Sequence, residues 1–235
     1  MTETGRIYSD CVEPRQIATR AFGRPFGGLD AKVVDDREQE VACGAEGELL
    51  VRWGGLEGER HGFFAGYLKN AEATEEAWHG GWFHTGDVVR QLPDGMLVFL
   101  DRKKNIIRRS GENIAAAEVE ACLQAHHAVS QVAVLAVPDE VREEEVMACV
   151  VPMPGVTSAR ELGEQLQDWC LEKLAYFKAP GWVLFVDTLP TTGTQKIQKS
   201  MIFPKGVDPR SRPSALDLRD RKKRRPGPTG VRASG

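Results

Sequence analysis

The chain has 235 residues, 28% of them charged and 41% hydrophobic, with a formal net charge of -3 and a mean hydropathy of -0.35. That is globular composition, enough for one sizeable core or two modest ones. It excludes a helical membrane protein, because apolar runs such as Val132–Val137 fall far short of the ~20 residues a spanning helix needs.

No secretory leader is expected either, since Met-Thr-Glu-Thr-Gly has neither a basic start nor an apolar stretch. The five cysteines are scattered, odd in number and without a CxxC pair. This argues against a disulfide framework or a cysteine-based zinc site, and for a reducing cytoplasm.

In chain order, residues from about 20 to 100 read as glycine-rich and extended, with strand patterns at Ala31–Val34, Gly47–Trp53, Val88–Leu92 and Met96–Leu100. Pro93-Asp94-Gly95 joins the last two as a turn, predicting a hairpin. One helix interrupts them, opening on an N-cap at Asn70 and closing at Gly80-Gly81. Beyond residue 101 the pattern changes. Asn113 is read as the cap of a helix running to about His126, followed by strands Gln131–Val137 and Val146–Val151.

A further helix is predicted from Ser158, whose spacing to Glu161 is that of a capping box, with Leu162, Leu166, Trp169, Cys170 and Leu174 at helical intervals. Trp182–Val186 reads as a buried strand. Helices on one side of a small sheet make an α+β unit. Residues 206–235 carry nine Lys/Arg against three Asp/Glu and are expected to form a basic, disordered tail. Contact with RNA or an anionic surface is the weaker reading, because no aromatic residue is interleaved to stack on bases.

Four segments are too specific for scaffolding when they occur together in this order. They are Thr2-Glu3-Thr4-Gly5, Gly81-Trp-Phe-His-Thr-Gly-Asp87, Asp101-Arg-Lys-Lys-Asn-Ile-Ile-Arg-Arg-Ser-Gly-Glu-Asn-Ile114, and Leu189-Pro-Thr-Thr-Gly-Thr-Gln-Lys-Ile-Gln-Lys199. Taken singly, each has a plain reading as a turn, solvated charges or a frayed end, and Gly111 as a supplier of positive φ.

With Gly66-Tyr-Leu-Lys-Asn-Ala-Glu-Ala-Thr74, these segments resemble the adenylate-forming superfamily of acyl-CoA synthetases, adenylation domains and luciferases, over residues 1 to about 203. The resemblance is closest to medium-chain and carnitine-type acyl-CoA ligases. It implies an α+β architecture. Residues 1–100 would be the barrel-like end of a large AMP-binding domain and residues 101–205 a small mobile domain. In this family the Thr-Glu motif lies well inside the large domain, after the phosphate loop and most of the acyl pocket. The resemblance therefore implies that the missing N-terminal part of the enzyme is a partner of this segment, which is expected to be inactive alone.

The resemblance assigns roles motif by motif. Thr2 would contact ATP phosphate and Glu3 would bind Mg²⁺, a hard cation suited to carboxylate oxygen. Asp87 would accept from both ribose hydroxyls, and Arg102 would add a charge-assisted contact. Asp101 matches the hinge of the small domain. Ser110, Gly111 and Glu112 match the CoA pantetheine tunnel, and Lys196 the adenylation lysine. Gln195 stands where the family usually has glycine. His84 is read as ribose-side scaffold. The implied substrates are a carboxylic acid, ATP and CoA. An adenylation domain serving a carrier protein, or a non-catalytic interaction module, remain as alternatives.

Overall fold

The computed structural model describes all residues except 1–2, 12, 18, 55–59, 61 and 223–235. Its internal contacts divide the chain into two compact units, Met1–Lys104 and Asn105–Gly235.

The first unit is a six-stranded, wholly antiparallel sheet in the order β1-β2-β6-β5-β4-β3. Its strands are β1 (Tyr8–Ser9), β2 (Ala21–Pro25), β3 (Leu29–Val34), β4 (Glu46–Trp53), β5 (Phe83–Gln91) and β6 (Leu97–Arg102). The Pro93-Asp94-Gly95 turn forms as read: Asp94 Oδ1 accepts from Met96 N at 3.1 Å. Between β4 and β5 lies α1 (Ala71–Ala77), whose cap is Asn70, with Oδ1 accepting from Ala73 N at 3.1 Å.

The core of this unit sits against one face of the sheet, where Leu29, Leu49, Val51, Phe83, Val89 and Leu97 are buried. Trp78 packs edge-on to Phe63, with ring centroids 5.3 Å apart. This aromatic cluster fixes the entry to β5, the strand that carries the Thr-Gly-Asp segment.

The second unit is α+β, as its sequence implies. Its sheet runs β12-β11-β10-β7-β8, with β9 paired to β10. The strands are β7 (Ile106–Arg109), β8 (Glu112–Ala115), β9 (Val129–Asp139), β10 (Glu143–Pro152), β11 (Trp182–Phe185) and β12 (Ala215–Asp217). The helices are α2 (Ala116–Gln124) and α3 (Arg160–Lys173). β10 and β11 are parallel, with α3 between them in the chain.

Period-two alternation divides the strand residues between two cores. Val132, Val134, Val146, Ala148 and Val150 pack with Leu123, Leu162, Leu166 and Cys170 of the helices. Ala133, Met147 and Cys149 belong to a second core with Leu189, against which Trp182, Ile197 and Ala215 pack.

Three expectations give way here. Asn113 caps no helix: it lies in β8, paired with Arg108, and α2 starts after Ala115 without a side-chain cap. The cause is the two-residue turn at Ser110 (φ +50) and Gly111 (φ +80), whose paired left-handed conformations make a tight hairpin and extend the ladder through Ala115. Ser158 forms no capping box either, because α3 starts after Ala159, again without a side-chain cap.

The basic tail expected from residue 206 is part of the fold as far as Lys222. β12 pairs with β11, Leu218 is 1% exposed, and Gln167 Nε2 donates to the Leu218 carbonyl at 2.8 Å. Leu218 is buried in the helix-side core and Leu216 packs against it. Residues 223–235 of that expected tail lie outside the described residues.

Candidate active site

In the first unit Asp87 and Arg102 face each other across β5 and β6. Arg102 Nε stands 2.9 Å from Asp87 Oδ1, and an Arg102 terminal nitrogen donates to the Thr85 carbonyl at 3.1 Å. Thr85 orients the loop in turn: its hydroxyl donates to Leu49 O at 2.8 Å, and the Asp87 amide donates to Thr85 Oγ1 at 3.1 Å.

Asp87 lines a cleft of about 420 Å³ with Thr4, Ile7, Tyr8 and Leu49. Its side chain is 14% exposed. Burial raises its carboxyl above the usual aspartate value, and the Arg102 charge works against that rise. The Tyr8 hydroxyl is buried nearby with no hydrogen-bond partner among the described residues, and its pKa is raised by burial and then by the Asp87 charge.

Glu3 belongs to the same neighbourhood, since its charge also raises Asp87. Its carbonyl accepts from the Phe64 amide at 2.8 Å, and its Oε1 accepts from the Tyr67 hydroxyl at 3.4 Å. Thr2 lies outside the described residues.

A residue the motif reading passed over braces this loop from behind. Glu48, 6% exposed on β4, accepts from Lys103 Nζ at 2.7 Å and from the Gly86 amide at 3.2 Å, and faces His84 Nδ1 at 3.5 Å. Burial would raise its carboxyl, but the His84 and Lys103 hydrogen bonds and charges outweigh that and bring it down to about 2. The sequence signal was present: an acid inside the apolar strand Gly47-Glu-Leu-Leu-Val51 needs buried partners. His84, held beside Glu48, has its imidazole pKa raised by that hydrogen bond.

Asp101 lies inside β6, 4% exposed and paired with Val88, with Oδ1 accepting from the Arg102 amide at 2.7 Å. The division between the units follows Lys104.

The remaining expected residues lie on two loops of the second unit. Ser110 and Gly111 form the β7–β8 turn, and Glu112 opens β8. Lys196 is exposed in a tight loop closed by hydrogen bonds from Thr192 N to Lys196 O at 2.8 Å and from Gln195 N to Thr192 O at 2.9 Å. Gln195 has φ +64, and Ile197 anchors the far side of the loop in the second core. A rigid turn with an apolar foot thus presents an exposed ammonium.

Comparison with known proteins gives this arrangement its context. Residues 118–196 match the family model of the AMP-binding enzyme C-terminal domain. The crotonobetaine/carnitine–CoA ligase of Proteus mirabilis is 36% identical over 180 residues, 76% of this chain and 33% of that enzyme. The oxalate–CoA ligase of Arabidopsis thaliana is 32% identical over 204 residues, 86% of this chain and 38% of that one.

Among solved structures, the ATP-bound RpMatB-BxBclM chimera B1 superposes with a TM-score of 0.70 at 30% identity, covering 85% of this chain and 38% of its own. The chain spans between 24% and 38% of the length of these and other curated relatives it matches. Over residues 118–196 the chain carries the AMP-binding enzyme C-terminal domain, and over most of its length it is related to CoA ligases and other adenylate-forming enzymes.

Proposed function

We propose that this chain supplies the C-terminal part of an ATP-dependent, AMP-forming acyl-CoA ligase of the cytoplasm. Residues 1–100 would end its large domain and residues 101–205 form its mobile domain. The observation that carries this reading is the Asp87–Arg102 pair beside a cleft bordered by the Thr4–Tyr8 segment, with Glu3 close by. The ligase names of the relatives support it.

The reaction has two steps. A carboxylate oxygen of the acid attacks the α-phosphorus of ATP, and the bond to the departing pyrophosphate breaks. The CoA thiolate then attacks the acyl carbonyl, and the carbon–oxygen bond to AMP breaks with its electron pair leaving on the phosphate.

Asp87 offers two acceptor oxygens to the ribose hydroxyls. Arg102, its guanidinium oriented by the Thr85 carbonyl, adds a directed positive charge. Lys196 stabilises charge on the α-phosphate in the first step. The Ser110-Gly111-Glu112 turn serves the pantetheine arm in the second, after a domain rotation. Glu3, a hard oxygen donor with its backbone pinned to Phe64, would hold Mg²⁺, which would neutralise phosphate charge.

A chimera tests this directly: residues 1–203 joined to the preceding part of the Proteus ligase. Lys196→Ala should lower acid-dependent pyrophosphate release by ~10²–10³ while sparing thioester formation from a supplied acyl-adenylate. Equal loss of both half-reactions, or of neither, overturns the assignment of Lys196 and with it the proposed reading.

A further inference from the structure

The first unit carries a second cluster of ligating side chains that the ligase reading does not use. Glu38 lies in the loop between β3 and β4, His79 follows α1, and His84 is on β5. One ligand atom from each lies within 4.8 Å of the other two. His79 Nδ1 is 2.9 Å from Glu38 Oε1, and the two imidazole rings are 6.0 Å apart by centroid. Two imidazoles and one carboxylate at such spacing are the donor set of a first-row transition-metal site.

The cluster is built rather than incidental. Glu38 is held at φ +59, a left-handed conformation that a non-glycine residue adopts only under constraint. Its amide donates to Asp35 O at 3.0 Å, and Asp35 Oδ1 accepts from both the Arg37 and Gln39 amides. On the other side, Gly80 and Gly81 both take positive φ and turn the chain from His79 into β5.

His84 completes the argument. Its Nε2 is buried and makes no well-aligned hydrogen bond among the described residues, although the His79 backbone lies within reach of the ring, while its Nδ1 faces the Glu48 carboxylate at 3.5 Å. A carboxylate on one ring nitrogen fixes the proton there and leaves the other nitrogen's lone pair free for a metal. That is how a ligating histidine is oriented. A buried nitrogen without a well-aligned partner is otherwise unfavourable.

We propose that Glu38, His79 and His84 form a divalent-metal site that takes Zn²⁺, or an ion of similar preference, through one carboxylate and two imidazoles, with water completing the coordination. Glu48 orients His84 for it and also holds the Gly86 amide, so the bound ion tightens the segment that presents Asp87. Thiolates are not needed, so the scattered cysteines do not bear on it.

The test uses the metal-free 235-residue chain with the exposed Cys11 and Cys43 changed to serine to remove competing thiols. Co²⁺ is followed by its visible absorption and Zn²⁺ by competition with a chromophoric chelator. One equivalent should bind, with the intense Co²⁺ absorption of a low-coordinate site. His79→Ala and Glu38→Gln should each weaken Zn²⁺ binding by at least about 10-fold, and Glu48→Gln by about 10- to 100-fold. The His79 and Glu38 side chains are 69% and 45% exposed, so their variants should keep the fold, which circular dichroism checks. Absence of binding, or binding that neither the His79 nor the Glu38 change weakens, overturns the proposal.

Discussion

At the scale of single residues, the loop before Lys196 shows what a departure from the family pattern means physically. Gln195 occupies the left-handed region at φ +64, where a residue with a Cβ is disfavoured by roughly 1–2 kcal/mol. Glycine escapes that strain but gives back roughly 0.5–1 kcal/mol in chain entropy. Gln195→Gly should therefore raise stability by up to about 1 kcal/mol, read as a higher urea midpoint with an unchanged slope. Gln195→Val should lower the midpoint, because a β-branched side chain fits the left-handed region worst. If both variants matched the parent chain, the loop would not hold this conformation in solution. The sequence marked the position as unusual; only the backbone angle explains why glycine is the common choice. Glu48 is the converse case, a residue that belongs to no recognised motif yet holds the Gly86 amide and Lys103 together.

Among the elements, β3 to β6, β9 to β11 and α1 were legible because each rests on a local signal: period-two patterning, the Asp94 turn and the Asn70 cap. The short strands β1, β2, β7 and β8 were not. The starts of α2 and α3 were not. Asn113 and Ser158 have capping chemistry, but hairpin pairing claims Asn113 for β8, and α3 begins at Arg160, two residues beyond Ser158, with Ala159 in the cap position. β12 was hidden for a different reason. Three residues in a charged context carry little pattern, and their partner strand lies far back in the chain.

What fixes the end of that segment is a buried charge cluster. Glu145, fully buried on β10, pairs with Arg109 Nε at 2.8 Å and with Lys222 Nζ at 2.6 Å. Gly181 makes room for it, since a Cβ there would stand 2.6 Å from the Glu145 side chain. Burial brings the Lys222 ammonium down to about 8, with Glu145 resisting the shift. Below pH 8 both folded and unfolded chains hold this proton. Between about 8 and the ordinary lysine value of 10.5 only the unfolded chain does, so stability rises with pH across that window. The gain should be on the order of 1–3 kcal/mol. Above about pH 9 the buried Cys149 and Cys170 thiols, whose pKa values burial raises from the ordinary 9.0, work in the opposite direction. Chemical denaturation between pH 7 and 9 should therefore show the rise, and Lys222→Met, which leaves Glu145 paired with Arg109, should flatten it. A slope that survives in the variant would assign the titration to another group.

For the whole molecule, the change of pattern near residue 101 was readable from composition. The structure divides the contacts after Lys104, with Asp101 still inside β6. Proline at 101 would therefore damage a strand before it could lock a hinge. The site shows a similar limit. Motif order singled out Asp87, Arg102 and Lys196 as candidates, but Leu49 and Glu48, which hold the Thr85–Gly86 segment beside Asp87, come from a strand remote in sequence, which no spacing rule reaches.

The Lys222–Glu145 bond, across 77 residues, also sets a sequence of events in time. The β9–β10 hairpin closes a short loop and can form early. Long-range partners wait on slower loop closure. A refolding chain should thus pass through a moment when Glu145 has Arg109 but not yet Lys222. Pulsed hydrogen exchange during refolding should find the β9 and β10 amides protected before those of β12. Simultaneous protection would mean that the second unit assembles in one step. Arrival last also implies release first: the segment that completes the unit is the one whose detachment should begin its unfolding.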